Sequence, residues 1–129
     1  MERRIPAHVR AFIEGHIDSV EQLEVLLLVR ARSDKEWSAS EVADELRIDP
    51  GSAEQRLEDL AAVGLLAGSS PTFRYAPANA ELAARVDELA GMYQTHRVAI
   101  IAVIFSRPSE RIRSFADAFR IRSRGENDG

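Results

Sequence analysis

The sequence predicts a mainly helical α+β domain with one short β-hairpin. Three observations carry that prediction. Apolar residues recur at helical spacing through most of the 129 residues. Capping signals, Ser19 with Gln22 and Ser38 with Glu41, stand ahead of two of those stretches. A single stretch, Leu65 to Ala76, reads as strand, turn and strand. The length suits one domain over residues 1–129. A content of 45% hydrophobic and 29% charged residues is that of a folded chain rather than a disordered one.

The elements follow in order. Pro6 suits the first turn of a helix, where its missing N–H costs nothing. Val9, Phe12, Ile13, His16 and Ile17 then give that helix one apolar face. Ser19 to Gln22 is an S-x-x-Q capping box, and Leu23 to Arg30 is apolar on nearly every side, the pattern of a central buried helix. Trp37 precedes a second capping box, Ser38 to Glu41, and should pack against the hairpin. Val42, Ala43 and Leu46 line the inner face of the short helix that follows. Ile48 to Ser52 reads as a turn, with Pro50 ending the preceding helix. The next helix turns Ala53, Leu57, Leu60 and Ala61 inward and ends at Gly64 in the left-handed conformation. Leu65–Ala67 and Phe73–Ala76 are the two strands, joined by Gly68 to Pro71.

Asn79 caps a long helix. Leu82, Val86, Leu89, Tyr93, Ile100 and Ile104 recur along it every three or four residues or a multiple of that step, a bundle seam nearly 40 Å long at ~1.5 Å per residue. Pro108 breaks it. Ile112, Phe115, Ala116 and Phe119 mark a last amphipathic helix, and Arg122 to Gly129 form a polar tail.

Composition excludes several functions. With no cysteine there are no disulfides, thiolate nucleophiles or cysteine-based metal sites. His8 and His16 stand eight residues apart with nothing to complete a zinc shell, so no metal and no cofactor is expected. No phosphate-cradling glycine loop, G-x-S-x-G elbow or H-E-x-x-H occurs, so the chain reads as a non-enzyme. The longest apolar run, Val98 to Phe105, has eight residues against the ~20 of a membrane span. The N-terminus lacks a secretion signal, which makes the cytoplasm the expected compartment. Arginine exceeds lysine sixteen to one, a skew expected of a GC-rich bacterial genome.

The order of elements is that of a winged helix-turn-helix, with a core over residues 19–76 and flanking helices at 5–17 and 79–121. Ser40 to Val63 carry the two helices and Leu65 to Ala76 the wing. The stretch EVADELRIDPGSAEQRLEDLAAVGLL, stepping into the wing through Leu60, Gly64, Leu65 and Leu66, is similar to the core of bacterial winged-helix regulators. With its flanking helices the chain resembles the multiple-antibiotic-resistance-regulator (MarR) type. That resemblance implies a transcriptional regulator acting as a homodimer on duplex DNA, with the terminal helices building the dimer. Leu82, Val86, Leu89, Tyr93, Ile100, Ile104, Phe115 and Phe119 are the expected dimer contacts. The alternative is a monomer whose terminal helices fold back on the long one.

In this fold the second helix of the motif enters the major groove. Projected at 100° per residue, its outward face shows Ser52, Gln55, Asp59 and Ala62, with Arg56 on one flank and Glu54 and Glu58 on the other. Arg47, Ser52, Gln55, Arg56 and Arg74 are the candidate DNA contacts: Gln55 for adenine, Ser52 for a phosphate. Charge argues the other way. Residues 38–76 hold three arginines against seven acids, −4 in all, and the tip of the wing carries no basic residue. The alternative is a winged helix that meets a basic protein partner. An acid intervening among Arg47, Arg56 and Arg74 would favour it. Trp37, Phe73 and Tyr75 are either core or the lining of an effector pocket. Arg107, Arg111, Arg113, Arg120, Arg122 and Arg124 make the C-terminal segment basic, as a solvated helix face or a secondary nucleic-acid contact.

Overall fold

A computed structural model describes residues 5–106. Among them are six helices and one two-stranded sheet: α1 (Ala7–His16), α2 (Val20–Ala31), α3 (Ala39–Leu46), α4 (Pro50–Ala62), β1 (Leu66–Ser69), β2 (Thr72–Tyr75), α5 (Ala80–Thr95) and α6 (Arg97–Phe105). The expected last helix, with Phe115 and Phe119, lies outside the described residues.

The core is built round α2. Leu23, Val25, Leu26 and Val29 are fully buried and Leu27 and Leu28 half-buried, so the helix is enclosed on nearly every side. α3, α4 and β2 pack against it, and α4 also packs on α3 and β1. α1 closes the other end through α5 and α6. One contiguous hydrophobic cluster unites these layers.

Ser19 caps α2 by accepting from the Gln22 N–H. The reciprocal half of the expected capping box is not made to Ser19. Gln22 is buried, and its Oε1 accepts from the Asp18 N–H at 2.6 Å while its Nε2 donates to the His16 carbonyl at 3.3 Å. The α1–α2 link has buried polar backbone to satisfy, and the amide serves it. At α3 the box is complete in both directions between Ser38 and Glu41.

Helix α4 starts earlier than its sequence suggests. Pro50 is its first residue, and Asp49 caps it by accepting from the Gly51 and Ser52 N–H groups. The turn is therefore shorter, and Arg47, not Pro50, ends α3 by taking the left-handed conformation at φ 60°. At the far end Gly64 N–H meets the Ala61 carbonyl and Leu65 N–H the Leu60 carbonyl, a Schellman closure with Gly64 at φ +86°.

The strands run closer to the turn than expected. Ser69 pairs with Thr72, leaving Ser70 and Pro71 as the loop, and Leu66 pairs with Tyr75. Trp37 forms a bridge to Phe73, its N–H 2.7 Å from the Phe73 carbonyl, as a third short edge.

The long helix is two helices. Asn79 caps α5 by accepting from the Leu82 N–H, as expected, but the helix ends at Thr95 after 16 residues, about 24 Å. Thr95 Oγ1 lies 2.7 Å from His96 Nδ1 and donates to the Met92 carbonyl at 3.5 Å, local bonds that compete with the helical ladder. After the break Ile100, Val103 and Ile104 turn inward, and α6 packs on α1.

Two glycines test this backbone. A Cβ on Gly68, at φ +99°, would sit 2.6 Å from the Thr72 carbonyl oxygen, whereas one on Gly91, in α5, would meet nothing within 4 Å. Gly68→Ala is expected to cost on the order of 1–3 kcal/mol and Gly91→Ala to add about 0.5–1 kcal/mol, measured by urea unfolding.

Candidate functional site

The candidate surface is the outward side of α4 with the hairpin beside it. Ala53, Leu57 and Leu60 are buried and fix which way α4 faces. Asp49 holds its first turn. Two of the predicted DNA contacts are not on the outward side. Ser52 Oγ donates to Glu21 Oε1 on α2, and Arg56 Nε lies 3.6 Å from the same oxygen. At that separation Arg56 makes an ion pair without a formed hydrogen bond, and the Arg56 side chain keeps only 22% exposure. A projection of α4 alone could not show this, because the carboxylate that turns both residues inward stands 31 positions earlier than Ser52.

The outward side shows Gln55 and Glu58 exposed, with Glu54 and Asp59 half-buried beside them. Gln55 donates its Nε2 to Asp59 Oδ1 at 2.9 Å within the helix. Glu58 is held above the usual carboxylate range, first by a proton-mediated hydrogen bond with Glu54, then by desolvation and by the charges of Glu54 and Asp59. Glu41, at the start of α3, is held below that range by the Ser38 N–H and by Lys35.

Arg47 and Arg74 remain outward. Arg47 caps α3 and is exposed. Arg74 is exposed on β2 opposite Ala67, on the side of the hairpin away from buried Phe73. Neither has a carboxylate partner among the described residues. Of the three arginines of this region, Arg56 on α4 is thus the one paired with a carboxylate, that of Glu21.

The aromatics belong to the core. Trp37 and Phe73 are buried against each other across the bridge. Tyr75 is half-buried, and burial, with Asp87 nearby, pushes its hydroxyl up. None of the three lines either of two open grooves. One, about 800 Å³, lies between α1 and the start of α5 and is lined by His8, His16 and Arg85. The other, about 500 Å³, runs between α2 and α5 and is lined by Leu27, Leu28 and Arg97, with Arg97 stacked 4.8 Å over Tyr93. His8 bonds Glu88 at 2.7 Å and His16 the Phe12 carbonyl at 3.0 Å. No group of three metal-ligating side chains occurs among the described residues.

The predicted dimer seam is enclosed by its own chain. Val86, Leu89, Tyr93, Ile100 and Ile104 are buried and Leu82 half-buried, so they offer little free surface to a second copy. Among the described residues no helix is long and apolar enough to cross a membrane. Comparison with known protein families, with curated proteins and with solved structures finds no match.

The Glu58 environment gives a pH-dependent prediction. The fold keeps Glu58 protonated to higher pH than the unfolded chain does, so its ionisation removes stability as pH rises through the carboxylate range. Glu58→Gln is expected to raise the urea midpoint at pH 7 and leave it nearly unchanged below that range.

Proposed function

We propose that the chain is a winged-helix interaction module that binds a basic protein partner through the outer side of α4. The observation that carries this reading is the Glu21 clasp. By taking up Ser52 and Arg56, it removes a phosphate ligand and a cation from the helix that would enter a DNA groove. The same side then presents Glu54, Glu58 and Asp59, and residues 38–76 total −4. Such a face repels a phosphate wall and attracts arginine and lysine. The fold supplies the presentation: α4 rests on α2 and α3, and the β1–β2 hairpin stands beside it as the wing. The module acts by binding, not by catalysis.

One observation favours a second reading, a MarR-like regulator on duplex DNA. Arg47 and Arg74 are exposed without a carboxylate partner among the described residues, at the turn before α4 and on the wing. Both are places from which such a module reaches phosphates.

Fluorescence anisotropy separates the two, with a labelled arginine-rich peptide and a labelled random-sequence duplex as probes. The peptide is expected to bind and to weaken with salt. The triple variant Glu54→Gln, Glu58→Gln, Asp59→Asn is expected to lose about tenfold in affinity. The duplex is expected not to bind even at low salt. Failure of the peptide to bind overturns the reading. So does duplex binding that fades steeply with salt and is lost in Arg47→Ala or Arg74→Ala.

A further inference from the structure

Helix α6 is apolar on two opposite sides, and only one of them is covered. Ile100, Val103 and Ile104 are buried. On the reverse side Val98 is 81% exposed and Phe105 66%, the exposed large hydrophobics among the described residues. Ala102 is exposed between them. Val98, Ala102 and Phe105 fall within about 60° of arc, a stripe roughly 10 Å long. Water against such a stripe costs free energy.

The charge of the chain divides near this same helix. Counted from the sequence, residues 1–88 hold ten lysines and arginines against seventeen acids, and residues 89–124 hold seven arginines against two acids. No acid stands between Glu88 and Glu110, so α6 carries none. Arg97, its first residue, is exposed and stacked on Tyr93, with no carboxylate partner among the described residues. The apolar stripe therefore stands in the basic stretch of an otherwise acidic chain. A surface that suits it is apolar and anionic at once.

We propose that the outer side of α6 docks on an anionic lipid surface. Val98 and Phe105 enter the boundary between headgroups and acyl chains, with the helix lying on the membrane rather than crossing it. The positive charge of residues 89–124 draws this side to the lipid phosphates, and the acidic remainder of the chain is repelled from them. Neither signal suffices alone: one phenylalanine and one valine insert weakly, and a basic stretch only adsorbs, but together they anchor. Size argues against a second copy as the occupant. A fully covered phenylalanine buries about 150–250 Å², so these two side chains fall well short of the roughly 800 Å² per partner of a stable dimer. A nucleic acid would engage the arginines and leave Val98 and Phe105 in water. The inference is independent of what α4 binds.

The full-length protein is sedimented with vesicles of phosphatidylcholine, either pure or with about one third phosphatidylglycerol. Binding is expected to the anionic vesicles alone and is expected to weaken with salt. The double variant Val98→Ser, Phe105→Ser changes exposed positions only, and it is expected to bind about tenfold more weakly with an unchanged circular dichroism spectrum. In Phe105→Trp, emission is expected to shift to the blue when anionic vesicles are added, over a constant signal from buried Trp37. This second reading decides the matter if the double variant does not fold. No binding at low salt overturns the proposal, as does equal binding to neutral vesicles. Binding that the double variant leaves unchanged, or a Phe105→Trp emission that does not move, reduces the contact to adsorption by charge and overturns it too. Dimers in analytical ultracentrifugation that the double variant abolishes, without vesicle binding, overturn it in favour of a second copy. Binding to a labelled duplex in place of vesicles overturns it in favour of nucleic acid.

Discussion

A helix that is apolar on nearly every side must be covered on nearly every side, and α2 imposes that constraint on this protein. Leu23, Val25, Leu26 and Val29 leave it no solvated stripe. α3, α4 and β2 are placed where they cover it. Its first turn projects one carboxylate, Glu21, at α4. That carboxylate sits in the first turn of α2, where the helix N-terminus favours negative charge, within reach of Ser52 and Arg56. Packing round α2 thus fixes the rotation of α4, and Glu21 decides which of its polar side chains remain outside.

The surface chemistry follows from that rotation. With Ala53, Leu57 and Leu60 turned to the core, the exposed polar residues of α4 are Glu58 and a glutamine already bonded to Asp59, with Glu54 and Asp59 half-buried beside them. Two arginines persist nearby because their backbone positions hold them out: Arg47 in the left-handed cap of α3, Arg74 on the outer side of β2. The face is thus a mixed one in which acidic charge prevails along the helix and basic charge stands at its borders. On the proposed reading, it is a basic protein segment lying along α4 that pairs with these acids.

Much of the fold was legible in the sequence. The helix caps at Ser19, Ser38 and Asn79, the left-handed Gly64 and the hairpin all rest on local chemistry, and the structure places them there. The misjudged features depend on contacts remote in sequence or on local side-chain competition. Gln22 serves Asp18 and His16 because the α1–α2 link needs it. The seam from Leu82 to Ile104 keeps its periodicity through Thr95 and His96, so periodicity alone cannot show that the helix breaks there. The candidate site was half legible. Its net charge could be counted from residues 38–76, but the capture of Ser52 and Arg56 by Glu21 spans 31 and 35 positions and has no local signal.

The rest of the α4 surface depends on the Glu21 clasp, and a double-mutant cycle in urea unfolding tests that clasp most directly. Glu21→Gln, Arg56→Gln and the double variant are compared with the parent protein at neutral pH. Both side chains are partly exposed, so the expected coupling is modest, about 0.5–1 kcal/mol, and it shrinks with added salt. Strict additivity of the two substitutions, unchanged by salt, would contradict the account, because Arg56 would then be free to serve the outer side of α4.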